Sequence, residues 1–329
     1  MSEPAIGNPM FKVQKAQRIA CRASIMLEGL PGTGKTGNAL IIARGLVKNW
    51  DEVGCIDTEN NSANLFVGIN ASSGGKFDPF LFGDLNADIG FKPTNYLAYR
   101  DALISAGAKS VIFDSISHAW NYKGGVLDQV ATAKTKNAHY AKDKYAAWGD
   151  EDVIKEKNQL LEMIRDRRAH MITTVRVKEK MEYTQGDKGL ELKSLGEQQI
   201  QQADLKYEPD LVLHTLSPGA VAPNGMIIHP KVRVVKTRYA ILAKDQEYEL
   251  TPELIEQIRT YLEEGADPEE LLKQQQTEYV QAVTEYLDTH PNAVAIWKVF
   301  KEEAGFKDTK LKEIPLDVLK QLFIKLTVD

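Results

Sequence analysis

Cysteine is nearly absent: the 329 residues hold only Cys21 and Cys55. Each lies in or beside an apolar strand-like run, with no second cysteine or histidine at ligand spacing. That excludes a disulfide framework and a cysteine-based metal site, and both thiols are expected buried and reduced. Long apolar runs are missing as well. No stretch approaches the roughly 18 residues a membrane-crossing helix needs, and Met1-Ser2-Glu3-Pro4 lacks the charged start and apolar core of a secretory leader. No membrane partner is expected, and the expected location is cytoplasmic. Nor is there an excess of positive charge: 41 Lys+Arg against 46 Asp+Glu give a net charge of −5. Bulk charge therefore does not hold this chain to nucleic acid, and any DNA contact must come from a local patch. The 43% hydrophobic content suffices for one large domain plus a small one.

What the chain does have is Gly29-Leu30-Pro31-Gly32-Thr33-Gly34-Lys35-Thr36, which fits the phosphate-binding pattern G-x-x-x-x-G-K-[ST] at every fixed position. The apolar run Ala23 to Leu27 before it reads as a buried strand, and Gly37 to Leu46 after it repeats apolar residues at helical spacing. Gly29, Gly32 and Gly34 let successive N–H groups turn inward to form an anion nest, with Pro31 and Thr33 completing the loop. The helix N-terminus behind them adds partial positive charge. These residues are expected to hold the phosphates of a nucleoside triphosphate. Lys35 reaches the β- and γ-phosphates, and the Thr36 hydroxyl takes one Mg²⁺ position.

Downstream, Val53 to Ile56 reads as a strand ending in Asp57-Thr58-Glu59. The carboxyl end of a parallel strand is where α/β folds place their chemistry. Glu59 can polarise the water attacking a γ-phosphate, or it is a helix cap or solvated loop acid. Asn60 to Phe91 lacks a period and is expected as irregular loops. Pro93 to Ala106 reads as a helix, and Ser110 to Ser115 as a strand whose Asp114 holds Mg²⁺ through its water shell. Residues 119 to 148 interleave Lys123, Lys134, Lys136, Lys142 and Lys144 with Trp120, Tyr122, Tyr140, Tyr145 and Trp148. That composition suits a surface for single-stranded DNA, and equally a partly buried helical insertion. Glu151 to Arg168 is an amphipathic helix with Val153, Ile154, Leu160, Leu161 and Ile164 inward.

A strand follows at Ala169 to Val175, and the charged segment from Lys178 to Leu195 is expected as a mobile loop. Further strands are expected at Pro209 to Leu216, Met226 to His229 and Lys231 to Arg238, the last ending in the cations Lys236 and Arg238. The expected division is an N-terminal arm at 1–20 with an exposed Phe11, a core at 21–248, an acidic helical linker at 249–276 hinged at Gln274-Gln275-Gln276, and a small helical domain at 277–329.

The succession of Gly29 to Thr36, Ile56-Asp57-Thr58-Glu59, Val111 to Ser115, Thr173 to Lys178 and Val234 to Arg238 resembles a RecA-type recombinase core. It is more closely similar to the short phage RecA-like ATPases of the Sak group, which act in single-strand annealing and recombination. The likeness covers roughly residues 21 to 245. Its most telling feature is Glu59 on the strand after the phosphate-loop helix, where that family keeps its catalytic glutamate, while Asp114 is followed by Ser115. The resemblance implies an α/β fold: a RecA-like P-loop NTPase core with a mostly parallel central sheet, plus a small C-terminal all-α module. It implies that Glu59 is the catalytic base, that Thr174 and Arg176 sense the γ-phosphate, and that Lys236 and Arg238 reach the neighbouring subunit's nucleotide. Lys178 and Lys180 open the segment matching a DNA-binding loop, although Glu179, Glu182, Asp187 and Glu191 dilute its charge, and Thr174 stands where RecA itself has an amide. The function implied is a Mg²⁺-dependent, DNA-stimulated ATPase on single-stranded DNA. It would work as a homo-oligomer, a head-to-tail filament or ring, alongside a single-strand binding protein. The other readings are a ring-forming replication ATPase, such as a helicase or helicase loader, and a nucleotide-dependent switch that recruits partners.

Overall fold

Short, mostly apolar runs alternating with helices build a mixed sheet in which the central strands are buried on both faces, the usual condition of parallel strands. The computed structural model describes residues 15–73, 75–137, 140, 145–186 and 189–328. The strands are β1 (Ser24–Gly29), β2 (Val53–Asp57), β3 (Leu81–Asp84), β4 (Ser110–Asp114), β5 (His170–Gly186), β6 (Gly189–Gln199), β7 (Leu211–Ser217), β10 (Lys231–Thr237) and β11 (Glu247–Glu249). Their order is β11-β10-β7-β1-β5-β4-β2-β3, with β6 pairing β5 off that path. The strands from β7 to β3 in that order pair parallel; β10, β11 and β6 pair antiparallel. A separate two-stranded ribbon joins β8 (Ala220–Val221) to β9 (Ile227–Ile228).

The period of two along each strand sorts side chains into two layers. Ile25 and Leu27 of β1 and Ile112 of β4 pack with Leu40, Ile41 and Ile42 of α1 (Lys35–Gly45). Met26, Val111 and Phe113 pack on the other face against Tyr96 and Leu97 of α2 (Pro93–Ser105) and Leu160, Met163 and Ile164 of α5 (Glu151–Arg165). Between them run α3 (Ser117–Asn121) and α4 (Val126–Lys136). Each such buried Leu, Ile or Phe contributes ~1.5–3 kcal/mol, so these layers hold the sheet's carboxyl edge in place.

Several expectations change. Asn60 to Phe91 contains β3, four residues paired in parallel with Gly54–Asp57 of β2. It is hidden in the sequence because it is short and contains Gly83, which lies so close to Tyr99 that a Cβ there would stand 2.6 Å from the ring. Lys178 to Leu195 is not a loop. An antiparallel ladder runs from Val177 opposite Gln199 to Gly186 opposite Gly189, satisfying backbone groups that the charged composition conceals. Ile154 is 44% exposed; the buried face of α5 consists of Val153, Glu156, Leu160, Met163 and Ile164. Cys55 is buried in β2, whereas Cys21 is exposed because it precedes the sheet.

The chain divides into a unit of Arg22–Leu262 and a second of residues 1–21 with 263–329. The stretch 249–276 is split between them: α6 (Pro252–Glu263) inserts Ile255, Ile258 and Leu262 into the first unit's core. In the second unit, Ala266 N donates to Arg18 O and Ala20 N to Ala266 O, both at 3.0 Å. Its helices α7 (Pro268–Thr289), α8 (Ala293–Glu303) and α9 (Leu316–Val328) enclose Val283, Trp297, Phe300, Leu319 and Phe323. Asp267 caps α7, with Pro268 in its first turn. The helix then passes unbroken through Gln274-Gln275-Gln276; glutamine is a good helix former, and no hinge lies there. Among the described residues no helix is long and apolar enough to cross a membrane. Phe11, Lys142 and Lys144 lie outside the described residues.

Candidate functional site

The carboxyl edge of the sheet gathers the charged residues of the core. β1 ends at Gly29, and the loop turns back through a Thr33 N to Leu30 O contact of 3.4 Å into α1. Gly32 and Gly34 sit at φ of 80° and 85°, the left-handed region that a Cβ disfavours. At Gly34 a Cβ would also stand 2.7 Å from Pro218, so two constraints require glycine there. Lys35 Nζ donates to the carbonyls of Gly29 and Leu30, each at 2.9 Å. Burial lowers the Lys35 pKa, against the pull of Asp114 and Glu59.

Strand order explains the next contact. β5 lies between β1 and β4, so Thr174 of β5 and Thr36 of α1 reach the same carboxylate from opposite sides. Thr36 Oγ1 donates to Asp114 Oδ2 at 2.5 Å, and Thr174 Oγ1 donates to Asp114 Oδ1 at 2.5 Å. Asp114 is 2% exposed. Burial pushes its carboxyl up to about 6, the two threonine hydroxyls oppose that, and nearby Glu59 and Asp57 add to it. The Asp114–Ser115 peptide is cis.

Glu59 follows β2 and faces this group from the neighbouring strand. Its position is set by Asp57, whose buried carboxylate accepts from Glu59 N, Asn61 N, Ser62 Oγ and Ala63 N at 2.7 to 3.2 Å. Arg176 of β5 grips Glu59 with two contacts, Nε to Oε1 and Nη2 to Oε2, both 2.8 Å. Burial raises the Glu59 carboxyl, but the hydrogen bonds and charge of Arg176 outweigh it and hold the pKa below its ordinary value. Thr58 ties the two strands together: its Oγ1 donates to Asp114 O at 3.1 Å, accepts from Ser115 N at 2.9 Å and meets His118 Nδ1 at 2.8 Å.

Lys35, Thr36, Glu59, Asp114 and Arg176 line one cleft of ≈ 460 Å³ above the glycines of the loop. A second cavity of ≈ 580 Å³ shares Gly34, Gly37 and Phe66 with it and is walled by Ile69, Phe77 and Pro218. Phe66 lies against α1 because residue 37 is glycine; a Cβ there would stand 2.9 Å from its ring.

Other expected site residues lie elsewhere. Lys236 and Arg238 stand at the opposite, amino-terminal edge of the sheet, Lys236 being aligned with Val212 at the start of β7. Lys236 Nζ donates to Tyr207 O and Pro209 O at 2.5 and 2.6 Å, and Arg238 pairs with Asp210 at 3.0 Å. Lys134 and Lys136 occupy the last turn of α4, Lys178 is exposed on β5, and Lys180 continues that strand. The aromatics of 119 to 148 divide. Trp120 stacks on Trp148 at 6.1 Å and Tyr140 packs against Val130 and Ala147, whereas Tyr122 and Tyr145 are exposed. The sequence motifs give Asp57 no capping role, assign Thr58 no role of its own, and do not point to His118 or Phe66. The turn-forming Asn60-Asn61-Ser62 after Asp57 is the one local signal that points to its role.

Among the described residues no three His, Cys, Asp or Glu side chains cluster as a metal site. The donor set of Thr36 and Asp114 fits Mg²⁺ in its usual manner, held by one carboxylate, a hydroxyl and the oxygens of a bound phosphate. No protein-family model matches this chain, and no curated protein sequence matches it.

Proposed function

We propose that this chain is a RecA-like, Mg²⁺-dependent ATPase that acts on single-stranded DNA as a head-to-tail oligomer in phage-type recombination or annealing. The observation that carries the reading is the convergence of Thr36 and Thr174 hydroxyls on the buried carboxylate of Asp114, inside one cleft with Lys35 and Glu59. A hydroxyl from the phosphate-loop helix beside an acid on a separate strand is the pairing that phosphate-bound Mg²⁺ requires. Thr36 and Asp114 would hold the ion, which neutralises phosphate charge when bound. The N–H groups of Gly32 to Thr36 hold the phosphates, and the ≈ 580 Å³ cavity beyond Phe66 takes the nucleoside. Glu59 orients the attacking water and accepts its proton. Lys236 and Arg238 are too far round the sheet to serve their own loop. They serve a neighbour's nucleotide by leaving Tyr207, Pro209 and Asp210, which ties hydrolysis to a heterologous contact that closes a ring or extends a filament.

The test is ATP turnover with and without Mg²⁺ and single-stranded DNA. Glu59→Gln is expected to keep ATP affinity while turnover drops about 10²–10⁴-fold, the usual share of a general base. Turnover that survives this change removes Glu59 as the base. Activity indifferent to DNA at low and high salt removes the recombination reading.

A further inference from the structure

A third cavity, of ≈ 230 Å³, opens on the far side of the Glu59–Arg176 pair. Its wall is aromatic. Tyr122 stands 4.8 Å from the His118 ring and edge-on to Phe91 at 5.3 Å and 78°. Phe91 is buried, while Tyr122 lines the cavity and is 51% exposed. The wall is anchored by backbone: Phe91 N donates to Lys123 O at 3.1 Å, and Gly125 N to Tyr122 O at 2.8 Å. Opposite the rings the lining is polar and of both signs. Arg176 offers guanidinium donors; Asp84 offers a carboxylate, with Asn86 Nδ2 donating to one of its oxygens at 3.1 Å. Lys92 and Lys123, the neighbours of Phe91 and Tyr122, are exposed.

A planar face, donors and acceptors around one edge, and room for a single heterocycle describe a receptor for one unpaired nucleobase. Flanking cations complete the pattern of stacking platform plus phosphate contact used for single strands. An acidic peptide would meet Asp84 and Glu59, and a duplex offers no free base face. We propose that this cavity captures one base of a single-stranded DNA, stacked on Tyr122 with its polar edge toward Arg176 and Asp84. The inference rests on the reading that the chain binds single-stranded DNA, and gives that reading a site the basic residues of α4 and β5 do not supply.

The probes are a fluorescent oligothymidylate of about 20 nucleotides and an abasic strand of equal length, titrated by anisotropy at one salt concentration. Wild type is expected to bind the thymidylate more tightly than the abasic strand. Tyr122→Ala is expected to lose about 5- to 100-fold on the thymidylate, the range for removing one stacked base, and nothing on the abasic strand. Tyr122→Phe keeps the ring face and stays within about twofold. Equal affinity of wild type for both strands overturns the base site while leaving DNA binding in place, and it does so without any variant. Tyr122→Ala that binds thymidylate as wild type does, or that loses both strands equally, overturns it as well. Wild type that binds neither strand ends the DNA reading along with this one.

Discussion

Replacing Asp114 by asparagine isolates what the site costs the fold. The buried carboxyl is raised from 3.8 to about 6, so ionising it in the folded chain costs ~3 kcal/mol at 1.36 kcal/mol per pKa unit. The sign follows from the folded value lying above the unfolded one. Above pH 6 the folded chain carries the whole cost, between pH 6 and 3.8 the cost fades, and below 3.8 it is gone. Asparagine has the same shape without the charge. One threonine hydroxyl can donate to its Oδ1, and the other can rotate to accept from its Nδ2. Asp114→Asn is therefore expected to stabilise the nucleotide-free, metal-free protein at pH 8 by up to ~3 kcal/mol, about 6–12 °C in the melting temperature of a domain this size. The gain should shrink through pH 6 and vanish near pH 4, while Mg²⁺-dependent ATP binding is lost. Thermal and urea unfolding at three pH values measure this. A variant no more stable than wild type at pH 8, or more stable by the same amount at every pH, refutes the argument that burial, not fold integrity, dominates at Asp114.

Two further substitutions probe geometry. Gly34→Ala meets both a positive φ and Pro218 at 2.7 Å, whereas Gly90→Ala meets only a positive φ, with no atom within 4 Å. Titration with a fluorescent ATP analogue should show more than about tenfold weaker binding for Gly34→Ala and near-normal binding for Gly90→Ala, since left-handed strain alone costs ~1–2 kcal/mol and acts on stability; equal losses would refute the steric argument. Joint replacement of Lys236 and Arg238 by alanine should leave ATP binding per chain intact while abolishing the steep dependence of hydrolysis on protein concentration. Unchanged kinetics would confine both residues to capping Tyr207, Pro209 and Asp210 within their own chain.

What could be read from the sequence was what is local in the chain. Gly29 to Thr36 needs only its flanking strand and helix, and Asp114 needs only the apolar run it terminates, so both were legible. The Glu59–Arg176 pair spans 117 residues, and Thr174 reaches Asp114 across 60. Both contacts exist because β5 inserts between β1 and β4, an arrangement that no contiguous pattern encodes. The same holds for the β5–β6 hairpin, whose charged residues read as loop until the ladder accounts for their backbone groups. The aromatics between 119 and 148 show a different limit. Composition cannot separate Trp120, which stacks on Trp148 against the core, from Tyr122, which faces solvent; only the turn after α3 decides.

Glu59 and Arg176 line the cleft above the loop glycines and the aromatic cavity alike, so a group entering from either side meets the same ion pair. While both carboxylate oxygens are held by the guanidinium, Glu59 is a weakened proton acceptor, its pKa kept low despite burial. An anion in the cleft or an acceptor edge in the cavity competes for Arg176. Once Arg176 turns away, burial is the largest influence left and raises the carboxyl, opposed only by the smaller effects of His118 and Ser115, which makes Glu59 a better proton acceptor. The contact that suppresses Glu59 in the ligand-free chain is thus also the one through which ligands on its two sides can strengthen it.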